Sequence, residues 1–143
     1  MLLGGKTVFP ITLAGGPPLA KDPATALAGW TEVAQAGVKM LRVYPKWNAA
    51  NAAQLIQDTK DQLDAAEKCG LQLWVGLFDV ANDISKQPLL EQIVDGLKDH
   101  PGLGAWKGAD EPLWGGLDAN GLAAAYDFVR ARGSSSSAAT SPR

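Results

Sequence analysis

Apolar positions return along this chain in two alternating rhythms. Short apolar runs occupy Thr7 to Leu13, Val38 to Tyr44, Leu71 to Phe78 and Leu103 to Ala109, and a longer segment follows each of them. In those longer segments apolar residues recur every three or four positions, the spacing of one buried helix face. The first begins with Asp22 as N-cap and Pro23 at the first helical position, and presents Leu27, Trp30 and Ala34 together. The second runs from about Asn51 to Cys69, with Leu55, Ile56, Leu63 and Ala66 inward and Asp58, Lys60, Asp61 and Lys68 toward water. The third starts near Pro88 and buries Leu89, Leu90, Ile93 and Leu97. The fourth starts near Asp118 and buries Leu122, Ala125, Tyr126 and Val129.

Glycines close the four helical patterns at Gly37, Gly70, Gly102 and Gly133, spaced by 33, 32 and 31 residues. Glycine suits that place because the residue closing a helix often turns left-handed. Strands alternating with helices at this interval predict parallel pairing through right-handed crossovers. An open doubly wound sheet usually carries a glycine-rich phosphate turn after its first strand. Here that turn reads Ala14-Gly15-Gly16-Pro17-Pro18, and its prolines remove backbone donors. A (β/α)8 barrel takes about 250 residues, or about 31 per unit. The expected fold is therefore α/β: a parallel (βα)4 array over residues 1–132, the first half of a TIM barrel. Residues 133–143 are so rich in serine that they read as a disordered tail.

With 143 residues, 46% of them hydrophobic, the chain has the size of one domain. Its net charge of -2 gives no electrostatic footprint for nucleic acid or an anionic membrane. A single cysteine, Cys69, excludes an internal disulfide and a thiolate metal cluster, and reads as a small buried residue. His100 is the only histidine, so no His-based metal site and no Ser-His or Cys-His pair is expected; it reads as a solvated helix-end residue. No cofactor is implied. No signal peptide and no membrane span is evident, so the chain reads as soluble, with its compartment open.

The chemistry concentrates after the predicted strands. Trp106-Lys107-Gly108-Ala109-Asp110-Glu111-Pro112 resembles the fourth-strand motif of clan A glycoside hydrolases, in which Asn-Glu-Pro carries the acid/base glutamate. The match holds at Glu111 and Pro112, while Asp110 replaces the family's asparagine and, when ionised, accepts hydrogen bonds without donating them. Leu41-Arg42-Val43-Tyr44 is similar to the clan's second-strand end, whose arginine steadies active-site carboxylates, and Thr7-Val8-Phe9-Pro10-Ile11 to the first strand of such barrels. The resemblance covers Lys6 to Arg132 and implies hydrolysis of O-glycosidic bonds by two carboxylates, with Glu111 as acid and then base. The clan's nucleophile ends a seventh strand, which this chain lacks. Asp79, ending the third strand, is a candidate substitute by analogy with strand-end placement alone.

Arg42, Trp47, Asp79 and Trp114 are the expected substrate contacts, with Glu111 and Asp110 as the catalytic pair. Trp30, Trp74 and Trp106 fall in helix or strand patterns and read as core. Trp47 and Trp114 fall on loops at the rim, where an exposed ring would stack on a sugar. Asn48, Asn82 and Asp83 share that rim, either for sugar hydroxyls or a cation, or as caps and turns. By parity Asp110 and Glu111 point to opposite faces unless a bulge intervenes. Three functions stay open: a glycoside hydrolase half, a non-catalytic carbohydrate-binding module, and a barrel enzyme holding a hard cation on Asp79, Asp110 and Glu111. An unclosed array has free edges, so a homodimer through them is also expected.

Overall fold

Four parallel strands form one sheet in the order in which the chain makes them. The computed structural model describes residues 2–3, 6–7, 11–15, 23–109, 111–112 and 115–137. Strands β1 (Leu2–Leu3) and β2 (Lys6–Thr7) pair antiparallel as a separate ribbon. The main sheet consists of β3 (Thr12–Leu13), β4 (Met40–Val43), β5 (Gln72–Gly76) and β6 (Leu103–Lys107), in the order β3-β4-β5-β6. Helices α1 (Pro23–Gln35), α2 (Ala52–Lys68) and α3 (Gln87–Leu97) connect these strands, and α4 (Ala119–Ser137) follows β6. The protein is thus an α/β fold, a four-stranded parallel sheet with four helices.

Strand alternation divides the sheet into two different faces. Leu41, Leu73, Val75 and Leu77 are almost fully buried in one core with Trp30 of α1, Ile56, Leu63 and Ala66 of α2, and Leu90, Ile93, Val94 and Leu97 of α3. Leu122, Ala125, Phe128 and Val129 of α4 pack on the same cluster. Residues of the other parity carry Arg42, Tyr44, Trp74, Gly76 and Lys107, aligned by a register that sets Arg42 opposite Trp74 and Gly76 opposite Lys107. A register shift beside Gly104 lets Trp106 turn to the helix side, where it packs on the core, and leaves Lys107 on the polar side.

Local chemistry explains most boundaries. Pro23 opens α1, as its fixed φ and missing donor favour. Asn48 accepts the amide of Asn51 at 3.3 Å and caps a 3-10 turn, Ala49–Asn51, that leads into α2. Asp118 accepts from the amides of Asn120 and Gly121, both at 3.1 Å, and caps α4. Gly37 and Gly70 adopt φ of 93° and 73° beyond α1 and α2, the left-handed closure that their spacing predicts.

Several expectations need correction. Among the described residues the first strand of the main sheet is Thr12–Leu13, with Lys6–Thr7 belonging to the ribbon instead, and Val8, Phe9 and Pro10 lie outside the described residues. Gly102 does not close a helix left-handed; a Cβ there would lie 2.4 Å from the Leu63 carbonyl oxygen, so its role is close approach of β6 to α2. Helix α4 passes through Gly133 to Ser137, because a helix already formed extends across weak formers more easily than it starts. Residues 138–143 lie outside the described residues. Tyr126 is 63% exposed rather than core, because α4 turns Leu122, Ala125 and Val129 inward. Trp74 lies half-buried on the polar face, outside the helix-side core. Among the described residues no helix is long and apolar enough to cross a membrane.

Candidate functional site

The carboxyl ends of β4 and β5 enclose a cleft of about 310 Å³, lined by Arg42, Tyr44, Lys46, Gly76, Phe78 and Asp79. Arg42 and Tyr44 project from β4 and its end on the face away from the helices, and the guanidinium lies 4.4 Å from the tyrosine ring centre. The ring itself rests on Gly76. A Cβ at that position would sit 2.5 Å from Tyr44 Cδ1, so a side chain at 76 would push the ring off the sheet. Tyr44 and Phe78 are each 42% exposed, offering apolar area at the mouth. Beside them the Lys107 ammonium stands 5.1 Å over the Trp74 ring.

Asp79 is fixed from two sides. Its Oδ2 accepts the backbone amide of Trp47 at 3.1 Å, and its own carbonyl accepts from Lys86 Nζ at 2.9 Å. The Trp47 indole donates to the Gly76 carbonyl at 2.7 Å, tying the loop after β4 to the end of β5. Trp47 is only 4% exposed, so the expected sugar platform at the rim is instead a core residue. The indole N–H decides this, since it finds a buried acceptor that only the inward orientation reaches.

Two of the expected substrate contacts, Arg42 and Asp79, meet in this cleft. Asp110 and Trp114 lie outside the described residues. Glu111 is exposed on a turn, with φ of 47° and its carbonyl accepting from the Gly115 amide at 3.0 Å, and it is not among the residues lining the cleft. Asn48 and Asp83 act as caps: Asp83 Oδ1 accepts from the Ser85 hydroxyl at 2.6 Å and the Ser85 amide at 2.9 Å. Those bonds, led by the hydroxyl, hold its carboxyl below the ordinary aspartate value. Tyr44, Lys46 and Phe78 were not expected at the site. Tyr44 shares strand parity with Arg42, which is the signal that identifies it; Phe78 shares parity with Trp74 and Gly76.

At the opposite end of the sheet, Asp64, Glu67 and His100 carry ligand atoms within 4.8 Å of one another. The histidine is engaged rather than solvated. Its Nδ1 accepts the Gly102 amide at 3.1 Å, so the neutral ring carries its proton on Nε2, which faces Asp64 Oδ1 at 3.2 Å. A cation at Nε2 would drive that proton to Nδ1, against the Gly102 N–H. The arrangement is a hydrogen-bonded corner joining α2 to the start of β6, not a suitable metal centre. No family model, no curated protein and no solved structure matches the chain.

Proposed function

We propose that these four βα units are the first half of a glycoside-hydrolase-like (β/α)8 barrel, whose strand-end cleft binds a glycoside and whose Glu111 is the acid/base carboxylate. One observation carries this reading. The strands run in strict chain order and pack their helix-side residues in a single core, while the other parity gathers an arginine and two half-exposed aromatic rings at the carboxyl ends, where the loop after β5 adds a fixed carboxylate. Barrel enzymes hold substrate at that end of the strands, and sugars are bound by an apolar ring face together with charged hydrogen-bonding groups at its edge. Arg42 and Asp79 supply the polar edge, Tyr44 and Phe78 the apolar face. The test is saturable binding of oligosaccharides to the chain, with at least a tenfold loss in Phe78→Ala, a change of about 1.4 kcal/mol. Absence of binding across a broad glycan panel refutes the reading.

A second reading, a non-catalytic carbohydrate-binding module, draws on the exposure of Glu111 and its absence from the cleft lining. Cleavage of aryl glycosides that disappears in Glu111→Gln favours the hydrolase. Binding without cleavage, unchanged in Glu111→Gln, favours the module.

A further inference from the structure

We propose that two copies of this chain close one eight-stranded barrel, β6 of each copy pairing in parallel with β3 of the other; this rests on the half-barrel reading above. The sheet runs β3-β4-β5-β6, and among the described residues β3 and β6 each have a strand on one side only. An open edge presents unpaired backbone groups, and full closure alone removes it. A two-fold axis along the strands preserves their direction. It sets each β6 beside the other copy's β3, so both edges of both copies are paired at once. Pairing like edges, β3 with β3 or β6 with β6, leaves the other edge of each copy open. Eight is also the number of parallel strands that closes around an interior filled by side chains.

The two edges carry complementary surfaces. Leu13 stands in register with Leu41, which is buried beneath the helices, so Leu13 and, two residues earlier, Ile11 belong to the helix side of the sheet. Yet they are 38% and 48% exposed, while Leu41, Leu73 and Val75 on the inner strands are almost fully buried. At the opposite edge, α4 and the helix side of β6 border an apolar slot of about 110 Å³, lined by Leu77, Trp106, Leu122, Ala125, Tyr126 and Val129. Tyr126 stays exposed there. Closure brings Ile11 and Leu13 of one copy to α4 of the other, apolar knobs to a slot of matching chemistry. Ile11, Leu13 and Tyr126 expose on the order of 100 Å² each, about 600 Å² over two copies. That is half of the roughly 1,200 Å² at which stable interfaces begin, and two new strand pairs with the flanks of α1 and α4 supply the remainder. Closure also completes the mouth. All eight strands end on one side, so the clefts of the two copies face one another there, each bringing its own Asp79. Carboxylates then stand on two sides of a bound glycoside, as hydrolysis by two carboxylates needs.

Sedimentation velocity of the whole chain tests this and should show twice the chain mass. Leu13→Lys and Tyr126→Glu each charge one edge and should each raise the dissociation constant at least tenfold. Ile84→Lys, exposed on the 3-10 turn before α3, should leave it unchanged. Mixing the two edge variants should restore the dimer, because a mixed pair keeps one contact wholly native and sets the new cation against the new anion in the other. Far-ultraviolet circular dichroism checks folding, and Ile11→Lys charges the same edge should Leu13→Lys not fold. A monomer at every concentration overturns the closure, and sugar binding by that monomer leaves the carbohydrate reading intact. A dimer dissociated by only one of the two edge variants means that like edges meet, and overturns it as well. So do assemblies that grow with concentration, in which unlike edges pair without closing, and a dimer dispersed by Ile84→Lys. A dimer with the expected responses that binds no sugar supports the closure and refutes the carbohydrate reading instead.

Discussion

Replacing Trp47 by phenylalanine isolates the bond that joins the core to the cleft. The indole donates to the Gly76 carbonyl at 2.7 Å from a position only 4% exposed. Phenylalanine keeps an aromatic ring in the site but leaves that carbonyl without its indole donor, at a cost of about 1–3 kcal/mol. Full truncation of a buried tryptophan costs about 3–5 kcal/mol, and the smaller ring retains most of the packing. The two effects together give a loss of about 2–4 kcal/mol, a large share of the roughly 5–15 kcal/mol that stabilises a typical domain. At about 4 °C per kcal/mol the melting temperature should fall by roughly 8–16 °C. Urea unfolding followed by far-ultraviolet circular dichroism reads the change as a lower midpoint with an unchanged slope. A loss below about 0.5 kcal/mol, the range of ordinary surface substitutions, would refute the buried hydrogen-bonded indole and return Trp47 to the rim.

Two further outcomes test the fold. Gly102→Ala places a methyl group 2.4 Å from the Leu63 carbonyl oxygen and 3.0 Å from its carbon, both backbone atoms, so β6 and α2 must separate. Thermal unfolding should show a loss of about 1–3 kcal/mol or more, and a variant as stable as the parent would mean the two elements do not approach so closely. Arg132 hydrogen-bonds Asp95 and Glu91, joining α4 to α3. The guanidinium holds the Asp95 carboxyl below its ordinary value of 3.8. A depressed folded-state pKa means the contribution is full above the unfolded value, near pH 4, and is lost as pH falls through the folded value. Arg132→Gln should therefore be less stable than the parent at neutral pH and converge with it in strong acid. A gap of equal size at both extremes would show that the pairing contributes nothing pH-dependent.

The periodic features were legible in the sequence because they are local. Four helices, their buried faces apart from Tyr126 of α4, and the left-handed closures at Gly37 and Gly70 follow from spacing and backbone chemistry alone. Arg42 was singled out in the sequence by the resemblance of its strand end, and strand parity, which sets it on the face away from the helices, accounts for its place in the cleft and extends to Tyr44. What failed depended on a second element arriving from elsewhere. Gly102 looks like another helix terminator until the Leu63 backbone is brought against it. Trp47 looks like an exposed loop aromatic, since nothing near it in sequence announces a carbonyl 29 residues away waiting for its indole. His100 reads as solvated for the same reason, its partner Asp64 lying 36 residues earlier.

Trp47 also explains how a rim built from loops can hold a defined shape. Its indole fixes the end of β5, and its amide fixes the carboxylate of Asp79, so one buried residue positions two elements of the cleft wall. Gly76 completes the arrangement, since its missing side chain leaves room for the Tyr44 ring that lies beside the Arg42 guanidinium. The floor of the cleft is thus continuous with the hydrogen-bonded sheet and the core, and a ligand entering it meets groups whose positions are already set. Ordering those groups at the moment of binding would subtract from affinity; here the fold has ordered them beforehand. Lys46 and Phe78 stand apart from this framework, exposed on the solvent side of the same cleft. Changes at Trp47 or Gly76 should therefore alter stability and binding together, whereas changes at Lys46 or Phe78 should alter binding alone. That separation makes the second pair the place where specificity can vary without cost to the fold.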